Sequence, residues 1–408
     1  MTPKQISKSI FLVATLFLFF ITLSCQTPIK DQESSIKEQK DIVVAANQTE
    51  KYMDLLKDKN IAIVANNTSV IFKNSSYQHL VDSLLSLKIN ITKIFAPEHG
   101  FRGTADAGDI INDTNDSETN LPVISLYGKN RKPSPSHLEN IDIVVFDMQD
   151  VGVRFYTYLS TLHYTMEACA ENGIRVIVLD RPNPNGHYID GPVLEEECKS
   201  FVGMHPVPII YGMTIGEYAK MINGEKWLKD GIQCDLTVIP LNNYTYTSTY
   251  SLPLRPSPNL PNDKSINLYA SICLFEGTNV SCGRGTEMQF QIFGSPFLPG
   301  DTYTYTFTPQ PNFGDKTPKH LNEECFGLDL SKTENLSSLN FSWLLDAYNS
   351  TSEKDKFFNK FFYKLAGTHD LKEQIEKGLT IEEIKATWQK DLVAFKKIRA
   401  KYLLYQAE

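Results

Sequence analysis

The chain has 408 residues, 41% of them hydrophobic, and a formal net charge of −8. That length has room for two domains and that hydrophobic share suits a globular protein with a real core. An acidic balance makes nonspecific nucleic-acid binding a poor reading, so no nucleic-acid partner is expected.

The first residues carry a compartment signal. Lys4 and Lys8 precede the apolar run "IFLVATLFLFFI", and "TLSC" then ends at Cys25. A charged start, a short apolar stretch and a small residue before cysteine read as a secretory signal over residues 1–24. The run is too short for a comfortable membrane span. The placement of Cys25 resembles the lipobox of bacterial lipoproteins and makes Cys25 the expected lipidation site. Membrane contact is then expected through the lipid anchor only, at a periplasmic or outer-membrane location. Residues 1–24 hold two lysines and no acid, so their removal leaves a charge of −10. Residues 25–54 are mostly polar and aperiodic, and read as a tether.

From Ile61 the pattern becomes α/β. Short apolar runs at 61–65, 91–95, 123–127, 141–147, 174–180 and 236–240 read as buried strands. Helical spacing occupies 77–88, 157–173 and 214–224, with Gly173 closing the second helix and Thr214 capping the third. Strand–helix alternation with near-continuous apolar strands predicts a Rossmann-like, mostly parallel sheet over residues 55–245. After residue 245 the chain turns Pro-rich and irregular. "TYTYTFTP" (302–309) alternates like a strand with one wet face, and the tail from about 340 reads as amphipathic helices. A smaller α+β domain is expected over 246–408. Six cysteines lie beyond Cys25, with no CxxC spacing, and Cys169 sits in a helix pattern that buries it.

Ligands of open parallel sheets bind beyond the carboxyl ends of the strands. Three such loops here each pair an acid with a nearby arginine: Glu98 with Arg102, Asp147 and Asp150 with Arg154, and Asp180 with Arg181. The expectation is that Glu98, Asp147 and Asp180 meet at one rim. Glu98, stiffened by Pro97, reads as a general acid, as a partner for Arg102 or as a structural cap. His99 reads as an acid–base group, a metal ligand or a hydrogen-bond scaffold. Asp147 and Asp150 read as a carboxylate pair or as anchors for Arg154. Asn183 reads as a sugar contact or as an Asx-turn residue. "LFEGTNVSCGRGTEMQF" (274–290) delivers Glu276, Arg284 and Glu287 without nucleotide-binding spacing.

The blocks "APEHGFRGTADAGD", "SLYG", "FDMQDVGVRFYTY", "LDRPNPNG", "DGPVL", "FVGMHPVPIIYGMTIGEYAKMING", "RPSPNLP" and "FEGTNVSCGRGTEMQF" resemble the signature blocks of the NamZ family of exo-β-N-acetylmuramidases. The resemblance implies a cleft between a Rossmann-like domain and a smaller C-terminal domain. It implies release of terminal, non-reducing N-acetylmuramic acid from peptidoglycan fragments, with no cofactor or metal. The family's "PEHG" glutamate matches Glu98, the leading catalytic candidate, with His99, Asp147, Asp150 and Glu287 beside it. The family often has tryptophan before "PSPN", where Arg255–Pro256 stands here. Arg102, Arg154, Arg181 and Arg284 are candidates for gripping the sugar's lactyl carboxylate. Tyr156, Asp180, Asn183 and Glu276 complete the substrate-binding candidates. Two rival functions use the same cleft: a metal-dependent hydrolase on Glu98, His99, Asp106, Asp109 and Asp147, and a non-catalytic sugar-binding lipoprotein.

Overall fold

The structure is a computed structural model that describes residues 41–74, 76–102 and 113–406. Cys25, Asp106 and Asp109 lie outside the described residues. Strands β1 (Ile61–Ala65), β4 (Ile91–Ala96), β6 (Pro122–Ser125), β7 (Ile143–Asp147), β8 (Arg175–Leu179) and β9 (Leu236–Ile239) form one parallel sheet, edged by the short antiparallel β5 (Thr114–Asn115). The order is β5-β6-β4-β1-β7-β8-β9. The chain runs outward from β1 to β6, then returns to β7 on the other side. This reversal leaves a crevice at the carboxyl ends of β4, β1 and β7, the place where such sheets hold ligands.

Both faces of the sheet are covered. Ala62, Val64, Val144, Phe146, Val176 and Val178 enter one core, while Ile61, Ile63, Ile143, Val145, Ile177 and Leu179 enter the other. Period-two alternation between two dry faces explains why these strands read as unbroken apolar runs. On the first face lie α3 (Tyr158–Glu171) and α4 (Ile215–Gly224). Asn172 caps α3, and Gly173 follows at φ 67°. Thr214 and Glu217 form a reciprocal capping box at the start of α4. The second face is covered by α2 (Leu80–Ser86) and by the segment holding α1 (Met53–Leu56).

Two local expectations need correction. The tether does not extend to residue 54, because Ala45, Ala46, Tyr52 and Leu56 are fully buried in the second core. The helix expected from 77 begins at Leu80. Before it, β3 (Ser76–His79) pairs with β2 (Val70–Lys73) as a two-stranded ribbon, buried at Val70 and Ile71 and exposed where Lys73 meets Ser76. His79 takes extended backbone angles as the N-cap, and its ring accepts from the Val81 N–H.

The C-terminal portion carries α5 (Asp263–Ile272) and an antiparallel sheet of β10 (Ile292–Ser295), β12 (Cys325–Asp329) and β11 (Tyr305–Phe307). Five helices follow: α6 (Ser342–Ser350), α7 (Phe362–Ala366), α8 (Asp370–Glu376), α9 (Ile381–Thr387) and α10 (Gln389–Arg399). The first-face core continues into this portion through Phe275, Phe293, Phe341 and Phe362. All six cysteines beyond Cys25 are buried thiols. Among the described residues, no helix is long and apolar enough to cross a membrane.

Among the polar contacts that join the halves, two sets centre on Arg154 and on the segment around Tyr405. Arg154 donates from Nη1 to the carbonyls of Pro192 and Val207, both at 2.8 Å. Its Nη2 donates to Leu365 at 2.9 Å and Ala366 at 2.7 Å, the carboxyl end of α7. The chain's last turn closes the other side: the Tyr405 hydroxyl donates to the Asp180 carboxylate, and the Leu404 N–H donates to Glu217 at 2.7 Å.

Each contact has a measurable consequence. Lysine has three N–H donors for the four carbonyls that Arg154 serves. Arg154→Lys is expected to destabilise the fold by about 1–3 kcal/mol for each carbonyl left bare, read by urea denaturation. A variant as stable as wild type would contradict the assignment. Burial pushes the Asp180 carboxyl from 3.8 up to about 7, against the opposing Tyr405 hydrogen bond and with Glu217 adding to the rise. A raised acid stabilises the fold while protonated. That contribution is whole below about pH 4 and is lost as pH rises through about 7. Asp180→Asn does not titrate, so wild-type Tm minus variant Tm shrinks between about pH 4 and pH 8. A difference that stays flat or widens would refute this.

Candidate active site

The crevice at the strand reversal holds a cavity of about 350 Å³. Residues just past β4 begin its wall. The Gly100 N–H donates to the Pro97 carbonyl at 3.1 Å, closing a turn with Glu98 and His99 at its centre. His99 has φ 71°, an unusual conformation for a side chain other than asparagine or glycine. The turn presents Glu98 to the cavity, while the buried His99 ring meets Ser257 Oγ at 3.3 Å.

Two hydroxyls position Glu98. Thr157 stands at the N-cap of α3, yet its side chain makes no capping bond and instead donates to Glu98 Oε2 at 2.9 Å. Tyr127, just past β6, also hydrogen-bonds Glu98; burial and the neighbouring Glu98 both raise its phenol pKa. Tyr156 lines the cavity with its ring, and its hydroxyl donates to the Pro256 carbonyl at 2.6 Å. That bond fixes the segment carrying Ser257, Asn259 and Leu260, the facing wall. Arg255, at the position where the family often has tryptophan, is exposed and does not line the cavity.

The second carboxyl of the cavity comes from the C-terminal portion. Arg284 Nε donates to Glu276 Oε1 at 2.7 Å, and Nη2 lies 2.6 Å from the same oxygen. Burial alone would lower the Arg284 pKa, and the adjoining Glu276 more than reverses that. The guanidinium lies 5.3 Å from the Phe290 ring centre. Arg131, in the loop after β6, stacks 4.3 Å above the Phe201 ring. Lys364 of α7 completes the polar lining.

The structure thus brings Glu98, His99, Tyr156, Glu276 and Arg284 together, and leaves the other candidates outside. The expected meeting of Glu98, Asp147 and Asp180 does not occur. Asp147 is fully buried and receives both prongs of Arg181, at 2.6 and 2.8 Å, while Arg181 also donates to the Val70 carbonyl. Asp150 accepts from the Tyr211 hydroxyl and the Gly152 N–H, and burial lifts its pKa to about 6. Asp180 accepts from Thr214, Gly216 and Tyr405. Asn183 closes a turn onto the Asn185 N–H and donates to the Met213 carbonyl. Gly152, at φ 78°, packs so tightly on the Asn183 amide that a Cβ there would collide with it. Arg102 pins its loop to Asp82 and Asp116, which hold its pKa above the ordinary value. Arg154 is committed to backbone carbonyls, and Glu287 is exposed without lining the cavity.

Sequence reading missed Thr157, Arg131, Phe201 and Lys364. Tyr127, Thr157 and Phe201 lie within blocks quoted for the resemblance without being singled out, and nothing in "GKNRKPSPS" or in the distant "FFYKLAG" points to a sugar site. Among the described residues, no group of three or more His, Cys, Asp or Glu is placed to hold a metal ion.

Comparison with known proteins agrees with this architecture. The profile for the N-terminal domain of the exo-β-N-acetylmuramidase NamZ matches residues 61–264, and that for its C-terminal domain matches residues 267–405. A Bacillus subtilis (strain 168) protein, peptidoglycan β-N-acetylmuramidase NamZ, is 38% identical over 98% of this chain and 100% of its own length. The crystal structure of a DUF1343 family protein from Bacteroides fragilis is 47% identical, with a TM-score of 0.83, covering 90% of this chain and 100% of the other. A second DUF1343 family structure from the same organism is 28% identical, with a TM-score of 0.76 over 90% of this chain and 99% of its own. Both domains and nearly the whole length match, so the chain belongs to the NamZ family of exo-β-N-acetylmuramidases.

Proposed function

We propose that this chain hydrolyses peptidoglycan fragments from the non-reducing end, releasing N-acetylmuramic acid, with Glu98 as general acid. The observation that carries the residue assignment is the placement of Glu98: it faces the cavity and is oriented by Thr157 and Tyr127. The named activity of the Bacillus subtilis relative supports the substrate class. The cavity is at the small end of ligand pockets, which suits one terminal sugar better than a threaded glycan.

Glycoside cleavage needs a proton on the leaving oxygen as the C–O bond breaks, and it builds positive charge on the sugar ring. Glu98 supplies the proton. Glu276, held by Arg284, supplies the negative charge that meets the ring cation. Water adds at the sugar's anomeric carbon: its hydroxyl stays on the released sugar, its remaining proton passes to the Glu98 carboxylate and restores the acid, and the departing alcohol keeps the proton that Glu98 gave first. The cavity's aromatic walls, including Tyr156 and Phe201, exclude bulk solvent around these charges.

Two substitutions separate chemistry from scaffold. On a defined MurNAc–GlcNAc disaccharide, Glu98→Gln is expected to lower kcat by about 10²–10⁴-fold with unchanged Tm. Turnover within about threefold of wild type would remove Glu98 from the acid role. Asp147→Asn leaves the Arg181 charge buried without its partner, an expected loss of about 3–5 kcal/mol in stability. Its folded fraction should keep near-normal kcat.

We also propose export and lipid anchoring through Cys25, on the strength of the apolar run and the residues before it. Labelled palmitate fed to a bacterial host should mark the wild-type chain and not Cys25→Ser. Label on both, or on neither, would exclude Cys25 as the anchor.

A further inference from the structure

The protein carries a formal charge of −8, yet its cavity reverses that sign. Three cations, Arg131, Arg284 and Lys364, face two carboxylates, Glu98 and Glu276. Even with both acids ionised, the site has one more positive group than negative, in a chain of net negative charge. Such a local excess attracts an anionic ligand and would gain nothing from a neutral one.

The three cations are not equivalent. Arg284 already spends two N–H groups on Glu276. Arg131 is exposed, and its guanidinium plane is held against Phe201, which itself stacks on Tyr164. Among the described residues, neither the Arg131 nor the Lys364 side chain makes a hydrogen bond or ion pair with a carboxylate. Stacking fixes a guanidinium without consuming its donors, so the fork stays available at low entropic cost. Arg131 lines the same cavity as Tyr127 and Glu98. The two cations come from separate halves of the fold: Arg131 from the loop after β6, Lys364 from α7. The other arginines that resemble carboxylate clamps, Arg102, Arg154 and Arg181, are already occupied outside the cavity.

We propose that Arg131 and Lys364 form a two-sided grip for the carboxylate carried by the substrate sugar, with Arg131 as the forked partner and Lys364 as the point charge. This inference rests on the muramidase reading for the identity of the sugar. The grip selects the acidic sugar over its neutral analogue. It leaves Arg284 to hold Glu276.

The test is calorimetric binding to the full chain, with free N-acetylmuramic acid and its carboxyl methyl ester as the two probes. The ester keeps the ring, acetamide and lactyl carbon skeleton and removes only the charge. Wild type should bind the acid about 10- to 100-fold more tightly than the ester, the range expected for charge-assisted hydrogen bonds. Arg131→Ala with Lys364→Ala should bind both probes equally. Arg131→Lys should restore part of the preference, since a point charge replaces a fork. A merely structural loss would weaken both probes alike and leave their ratio unchanged. The proposal is overturned if wild type shows no preference, if it binds neither probe, or if the double variant keeps the wild-type ratio. A preserved preference in a protein that releases no sugar from the disaccharide would sink the muramidase reading and leave the grip standing.

Discussion

A guanidinium sealed from water must find acceptors for its N–H groups, and Arg154 finds four backbone carbonyls on three stretches of chain. Among the described residues no carboxylate pairs with it, and its Nε makes no hydrogen bond. Burial lowers its pKa to about 10, which still leaves it charged at neutral pH. The arrangement matters because of what adjoins it. Phe155, Tyr156, Thr157 and Tyr158 follow directly and form one wall of the cavity, while Lys364 immediately precedes the carbonyl of Leu365. One buried ion therefore sets the register between the loop that orients Glu98 and the helix that faces it. Gly367, at φ 80°, lies against the same guanidinium and has no room for a side chain.

The repeated pairing of acids with arginines at the strand ends has a structural origin. At the carboxyl edge of a parallel sheet, loops crowd together and their backbone groups need partners away from water. Asp147 and Arg181 meet there as a buried fork that also holds the Val70 carbonyl of β2. Asp180 gathers the first turn of α4 through Thr214 and Gly216. These acids serve as internal joints. Among the described acids at these strand ends, only Glu98, carried past the edge by its turn, lines the cavity.

This division explains what could be read from sequence. The strands were legible because two dry faces require unbroken apolar runs, and α4 was legible because its capping box is local. Glu98 was legible through its motif. The fate of the other charges was not, since it is decided by partners far along the chain. Asp147 and Arg181 are 34 residues apart, and Arg154 and Leu365 are 211 apart. Local spacing carries no trace of such pairings. The β2–β3 ribbon was hidden because its exposed residues run into the helical pattern that starts at Leu80.

Asp180 receives strands of the story from both directions of the chain. Its carbonyl accepts from the Ala45 N–H at 3.2 Å, and its carboxylate accepts from Tyr405. During synthesis the first of these residues emerges long before the last. The β8–β9 flank of the sheet therefore stays unsealed, with an acid poised in its interior, until nearly the whole polypeptide has been delivered. Bringing segments so far apart in sequence onto one residue costs chain entropy, so this flank is complete only when the segment around Tyr405 is in place.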